Sequence, residues 1–325
     1  MFERRFWGDL PDGRQAELIT LTSSAGAVVD VSNFGGIIRS LTIPLADGSH
    51  RQVVLGYDSL AEYMADTCFV GVTIGPYANR IRGGQFMLDG VCYDLEKNEG
   101  GNTLHSGSTA WHTALYDDEQ DGDALVLKLH SPDGAGGFPG NVDVSVRFFW
   151  QDPMTFAITY QVMTDKATVF NMTHHSYFNL GTEDTILSHI LQLRADRYVS
   201  VDADGLPTGK LLPVRGTIFD FQTPRPIARH YDSTFVLTGG PDPAVTLTAP
   251  DGKLSLDVFT DKPGVQVYTG TYLQPPFVPY GGVCLETQHF PDAPNIPAFP
   301  SPVVRPGEWY QSTTAFQFTT DPYLT

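Results

Sequence analysis

Charge is scarce in this 325-residue chain. Asp, Glu, Lys and Arg make up 18% of it, and only 20 residues are Lys or Arg. The net charge of −17 argues against nucleic acid as a partner, because phosphate binding needs clustered cations. It argues equally against an anionic membrane surface, and leaves a neutral small molecule such as a sugar open. Cysteine is rare too. Cys68, Cys92 and Cys284 lie far apart and form no CxxC pair, which argues against a disulfide framework or a zinc knuckle. They read as buried small apolar residues. No apolar run is long enough to span a bilayer. The opening MFERRFWGDL lacks the apolar stretch of a signal peptide, so a cytoplasmic location is the simplest expectation. Phosphate-binding loops, GxGxxG turns and GxSxG elbows are all missing.

Turn formers, by contrast, are plentiful: 32 Gly and 24 Pro. Asp-Gly begins at Asp12, Asp47, Asp89, Asp121, Asp133, Asp204 and Asp251. This dipeptide suits hairpin turns because both residues tolerate positive φ. Between the turns, apolar residues alternate, as in ALVLKLHS (Leu125, Leu127, Leu129) and TFAITYQVMT (Phe156, Ile158, Tyr160, Val162). The one helix signal is a capping box formed by Ser59 and Glu62. These patterns predict an all-β, mostly antiparallel sandwich or barrel, continuous over residues 1–325 as a single domain.

Four stretches could carry chemistry. FNMTHHSYFNLG, residues 170–181, reads as a strand. Alternation puts His174 and His175 on opposite faces. His175 shares a polar face with Asn171, Thr173, Tyr177 and Asn179, which either lines a site or meets water. In GVCLETQHFPDAPN, Glu286 is a lone carboxylate in an apolar strand. Burying it is costly without hydrogen bonds or a partner, so it is either a satisfied structural Glu or a functional one. GPYANRIRGG places Asn79 and Arg80 at a Gly-rich strand end, suited to hydroxyl binding or to a plain solvated turn. GGNTLHSG places His105 among turn residues. One reaction would use these groups together. Opening a sugar hemiacetal needs a base at the anomeric hydroxyl and an acid at the ring oxygen, which one carboxylate and one imidazolium can supply.

The motifs also resemble those of the aldose 1-epimerase (galactose mutarotase) family. The resemblance rests on Asn79-Arg80-Ile81 with Gly84, Asn102-Thr103-Leu104-His105, MTHHSYFNLG, VDADGLPTG, VQVYTG and LETQHFPDAPN, in order along nearly the whole chain. It implies a large antiparallel β-supersandwich and interconversion of the α and β anomers of free aldoses, with no metal or cofactor. Glu286 would be the base at the C1 hydroxyl and His175 the acid at the ring oxygen, supported by His105. Asn79, Arg80, Asp232 and Gln266 would hold the sugar, with Tyr177 close to the acid. The partner would be a small aldose, and the protein a monomer or homodimer. This chain departs from the family's usual pattern at His174, Ser106 and Ser233, where Asn, Gly and His are common. A non-catalytic sugar-binding protein and a glycosidase using Glu286 and Asp232 are the alternatives. A metal site from His105, His174, His175 and His189 ranks last, because adjacent strand histidines point apart.

Overall fold

The Asp-Gly turns organise the chain. A computed structural model describes residues 2–320, and in it the glycine of all seven dipeptides has positive φ. Six of them join consecutive antiparallel strands, and Gly134 lies in the longer connection between Ala124–Ser131 and Val142–Asp152. The aspartates work differently from the sequence expectation. Only Asp89 has positive φ. Asp12, Asp47 and Asp251 instead accept the backbone N–H two residues ahead, at 3.0–3.1 Å, a side-chain mimic of a turn.

These hairpins build three large sheets, and every ladder between named strands is antiparallel among the described residues. The first is a five-strand meander from Phe2–Asp9 to His50–Gln52. The second has nine strands centred on Val142–Asp152, Thr155–Thr164 and Tyr310–Thr319. The third orders Tyr177–Phe178, Val283–Gln288, Gly264–Tyr268, Asp232–Leu237, Ala195–Val201 and Pro207–Pro213 side by side. Val29 and Leu41, Phe156 and Val258, Val265 and Leu285 bring all three sheets into one core, each buried side chain contributing about 1.5–3 kcal/mol. The result is the all-β, antiparallel supersandwich that the sequence leads one to expect. The capping box is present: Ser59 caps the helix Leu60–Ala65, and the Glu62 carboxylate accepts the Ser59 N–H at 2.9 Å. Among the described residues no helix is long and apolar enough to cross a membrane.

Two expectations need correction. Only Cys284 is buried; Cys68 is half-buried and Cys92 exposed. FNMTHHSYFNLG is not one strand but two short ones, Thr173–His174 and Tyr177–Phe178. The first pairs with Thr73–Ile74 and the second with Val283–Gln288. The chain changes partners between them, so its polar face is split: His175 and Tyr177 line a common cavity and Asn171, Thr173 and Asn179 do not.

Candidate active site

Sheet register assembles the site. Residues directly opposite on antiparallel strands point to the same face. Tyr177 is opposite Cys284, Cys284 opposite Tyr268, and Tyr268 opposite Asp232. One step along, Glu286 is opposite Gln266 and Gln266 opposite Thr234. These two adjoining rows form the floor. His175 precedes the edge strand Tyr177–Phe178 and is fixed by its backbone: its N–H donates to Val72 O at 2.9 Å, and its carbonyl accepts from Gly71 at 3.0 Å.

The wall comes from the short pair Arg80–Ile81 and Thr103–Leu104. Asn79 and His105 both have positive φ, 64° and 49°, a conformation costing about 1–3 kcal/mol for a non-glycine residue. They hold each other there. The His105 N–H donates to Asn79 O at 3.1 Å, and the Asn79 N–H donates to His105 Nδ1 at 3.2 Å. Ser106 adds a clamp: its hydroxyl accepts from the Tyr77 N–H at 2.7 Å and donates to the Tyr77 carbonyl at 2.9 Å. A serine at this position therefore ties down the loop that carries His105.

Floor and wall enclose a cavity of about 200 Å³, smaller than the ~300–1,000 Å³ of drug-sized sites and on the scale of one small ring. A larger hollow of about 400 Å³ lies beside Asp261 and Lys262, but Glu286 and the histidines of the floor and wall are not among its lining. Of the residues singled out in the sequence, Asn79, Arg80, His105, His175, Tyr177, Asp232 and Glu286 all line the smaller cavity. Gln266 does not. Its side-chain amide donates to Asp232 Oδ1 and its carbonyl accepts from Thr234 Oγ1, so it positions Asp232 from beneath. Tyr177 presents its ring, while its hydroxyl donates to the Cys68 carbonyl at 2.8 Å. Ser233 follows Asp232 in its strand but lies outside the lining.

Sequence reasoning missed Phe69, Glu99, Tyr268 and Tyr272, which also line the cavity. Phe69 packs against His105 and His175, with ring centroids 4.6 and 5.9 Å away. Glu99 holds Arg80 through two hydrogen bonds of 2.7 Å, to Nε and Nη2. Tyr272 is 70% exposed at the rim, and its backbone N–H donates to the Tyr268 hydroxyl. Tyr268 belongs to the VQVYTG motif, the one signal that pointed toward any of them.

His175 Nε2 lies 3.8 Å from Glu286 Oε1, and both side chains are almost wholly buried. Glu286 Oε2 is buried with no hydrogen-bond partner. Burial pushes the Glu286 carboxyl well above its usual range; the Asp232 charge adds to this and Arg80 opposes it. Burial also takes His175 and His105 well below the ordinary imidazole value. Both directions favour the neutral form of the pair, with its proton on Glu286. His105, His175 and Glu286 each place one potential ligand atom within 4.8 Å of the others. A metal does not suit this trio well. Because His105 Nδ1 accepts the Asn79 N–H, the neutral ring carries its proton on Nε2, the nitrogen a metal would need bare. His105 is instead a fixed donor. His174 sits apart: Nε2 donates to Gly36 O at 3.2 Å, and Nδ1 accepts from Ser176 Oγ at 2.9 Å.

A β-supersandwich with a carboxyl and an imidazole facing each other in a small polar cavity is an arrangement that can do acid–base chemistry on a small molecule. Residues 17–317 match the family described as Aldose 1-epimerase. The chain is 37% identical to an aldose 1-epimerase of Escherichia coli (strain K12), covering 95% of this chain and 96% of that one. It is 35% identical to a galactose mutarotase of Homo sapiens, covering 97% and 98%. Its fold is similar to the crystal structure of a galactose 1-epimerase from Lactobacillus acidophilus, with a TM-score of 0.87 and 27% identity over 98% of this chain and 99% of that one. The chain belongs to the aldose 1-epimerase family.

Proposed function

We propose that Glu286 and His175 are the acid–base pair of an aldose 1-epimerase that interconverts the α and β anomers of free aldoses. The observation that carries this reading is the 3.8 Å approach of His175 Nε2 to Glu286 Oε1 across a buried cavity floor. The anomeric and ring oxygens of a sugar share one carbon, so two groups this close can each reach one of them.

Sugar binding resets the proton. A sugar hydroxyl supplies the donor that Glu286 Oε2 lacks, and Arg80 favours the carboxylate. The proton then rests on His175. Glu286 removes the C1 hydroxyl proton while His175 protonates the ring oxygen and the C1–O5 bond breaks. The open-chain aldehyde rotates about C1–C2. Ring closure on the other face returns both protons, starting from the neutral pair that burial favours. Each direction thus begins from one of the two one-proton forms. His105 Nε2–H donates into the cavity beside His175, and Asn79, Arg80 and Asp232 hold the hydroxyls. The alternative of a sugar-binding protein without catalysis is weakened by the presence of both reacting groups. A glycosidase is weakened because Asp232 is held by Gln266 and faces Arg80 at 4.0 Å.

The test is polarimetry on freshly dissolved α-anomers, with buffer-catalysed drift subtracted. Acceleration proportional to protein is the expected result; drift at the buffer rate for galactose, glucose, xylose and arabinose alike would overturn the reading. A control separates the neighbouring histidines. His174→Asn should keep most of the turnover while costing about 1–3 kcal/mol of stability by disturbing its buried hydrogen bonds. Urea unfolding measured beside the rate checks both halves.

A further inference from the structure

We propose that Cys284 is a positioning residue for the reaction: its sulfur holds the far nitrogen of the His175 ring, so that the proton traded with Glu286 comes and goes on Nε2 alone. The inference rests on the reading of His175 and Glu286 as the reacting pair and adds a third member behind them.

Cys284 Sγ lies 3.4 Å from His175 Nδ1. Both residues are buried, Cys284 at 0% exposure and His175 at 4%. Cys284 and Glu286 are two apart in the strand Val283–Gln288, so alternation sends both side chains to one face. One strand therefore meets both nitrogens of the ring: the sulfur at Nδ1, and Glu286 Oε1 at 3.8 Å from Nε2. Register fixes the sulfur between Tyr177 and Tyr268, which stand opposite it on the two neighbouring strands. Cys284 does not line the cavity, so its influence on the chemistry runs through His175.

Protonation decides what the contact does. Burial holds the Cys284 thiol well above its ordinary pKa and the Glu286 charge adds to this, so the group stays S–H. A neutral imidazole carries one N–H. With the proton of the pair on Glu286, Nε2 must be bare to receive it. The ring hydrogen then belongs on Nδ1, and the sulfur is its acceptor. The other acceptor beside the ring, the His175 carbonyl, already takes the Gly71 N–H at 3.0 Å. His105, His112 and His174 are neutral by burial, and Tyr177 and Tyr268 keep their hydroxyl protons. Glu286 is thus the partner whose charge changes with that of the ring.

Sulfur is a weak acceptor. It sets the tautomer and the plane of the ring but does little for the imidazolium, which an oxygen acceptor would favour. Cys284 therefore orients His175 without taking away the acidity needed to protonate a ring oxygen.

Nitrogen-15 NMR of the sugar-free protein tests this, because bare and protonated ring nitrogens resonate far apart; His175→Asn assigns the signals by their loss. The expected ring has Nδ1–H and a bare Nε2. A ring protonated on Nε2 overturns the proposal. In Cys284→Ala, folded by circular dichroism, both tautomers should appear, and kcat should fall at least ~10-fold with KM changed less than about threefold. Cys284→Ser restores an acceptor, so it should recover the Nδ1–H form and most of kcat. Its oxygen accepts more strongly, so the His175 limb of the kcat pH profile should move upward. Folded Cys284→Ala turning over at the parent rate overturns the proposal, as does a loss confined to KM or a serine variant no better than alanine. The NMR arm needs no sugar. A protein that turned over no aldose would refute the reaction, and the ring signals would still decide the clamp.

Discussion

Glu286→Gln is expected to lower turnover at least ~10²-fold with the fold intact, and His175→Asn to lower it comparably. Gln matches Glu in size but accepts no proton, so the C1 hydroxyl keeps its hydrogen and the ring stays closed. The substitution is gentle to the fold because Glu286 already prefers to be neutral in the sugar-free cavity. His175→Asn removes the proton donor and also a ring packed on Tyr177, with centroids 5.1 Å apart, so some stability is lost with it. The double variant should be little worse than either single one, since the two groups act as a unit. Polarimetric rates, taken beside circular dichroism and urea unfolding, measure this. A folded Glu286→Gln protein turning over at the parent rate would remove Glu286 from the chemistry. A large loss in KM with kcat unchanged would recast it as a binding group.

What could be read from the sequence follows a physical division. Period-two alternation and Asp-Gly turns are local signals, and they led to the antiparallel sheets. Glu286 stood out because an ionisable residue in an apolar strand needs an explanation, and His175 because alternation separates it from His174. Both then meet through sheet register, which sets Tyr177 opposite Cys284; His175 and Glu286 themselves are 111 positions apart in sequence (286 − 175). The misses have one cause in common: their placement depends on tertiary contacts. Phe69 reads as an ordinary apolar residue of TCFVGV. It reaches the histidines only because its φ is 58° and Asp66 accepts the N–H groups of Cys68 and Val70 around it. Glu99 lies in a turn whose pairing with Arg80 no local pattern announces. Gln266 was found on the right strand, but only the neighbouring Asp232 and Thr234 reveal that its amide is already committed. The family resemblance supplied the site as a set; spacing alone could not have brought His105 to Glu286.

The same burial that tunes the site should make the protein acid-labile, losing at least about 4 kcal/mol of stability between pH 7 and pH 5. Burial lowers His112, His174, His189 and His289 to about 4 and His175 to about 3, and takes His105 well below the ordinary imidazole value. In an unfolded chain each would titrate near 6.5. The sign follows from proton counts. As pH falls through 6.5 the unfolded chain takes up protons that the native state refuses until about 4. Stability is therefore undiminished above 6.5 and drains away below it, by up to ~1.4 kcal/mol per pH unit for each histidine. Glu286 and Asp292 act in the opposite sense. Burial raises their native pKa values, so each keeps a proton that the unfolded chain has released, and their contribution grows as pH falls. They can offset at most two of the six histidines. The refusal has structural causes beyond burial. His189 Nε2 accepts the Leu180 N–H at 2.9 Å and His105 Nδ1 accepts the Asn79 N–H, so protonation at either atom would set donor against donor. The remaining nitrogens His112 Nδ1, His189 Nδ1 and His289 Nδ1 are buried with no partner to share an added charge. Urea unfolding at pH 7, 6 and 5 measures the slope, and a flat profile would contradict the neutral assignment. His189→Gln provides the single-site check. Its amide oxygen can accept from Leu180 without titrating, so the variant should lose close to one proton's worth of slope between pH 6.5 and 4.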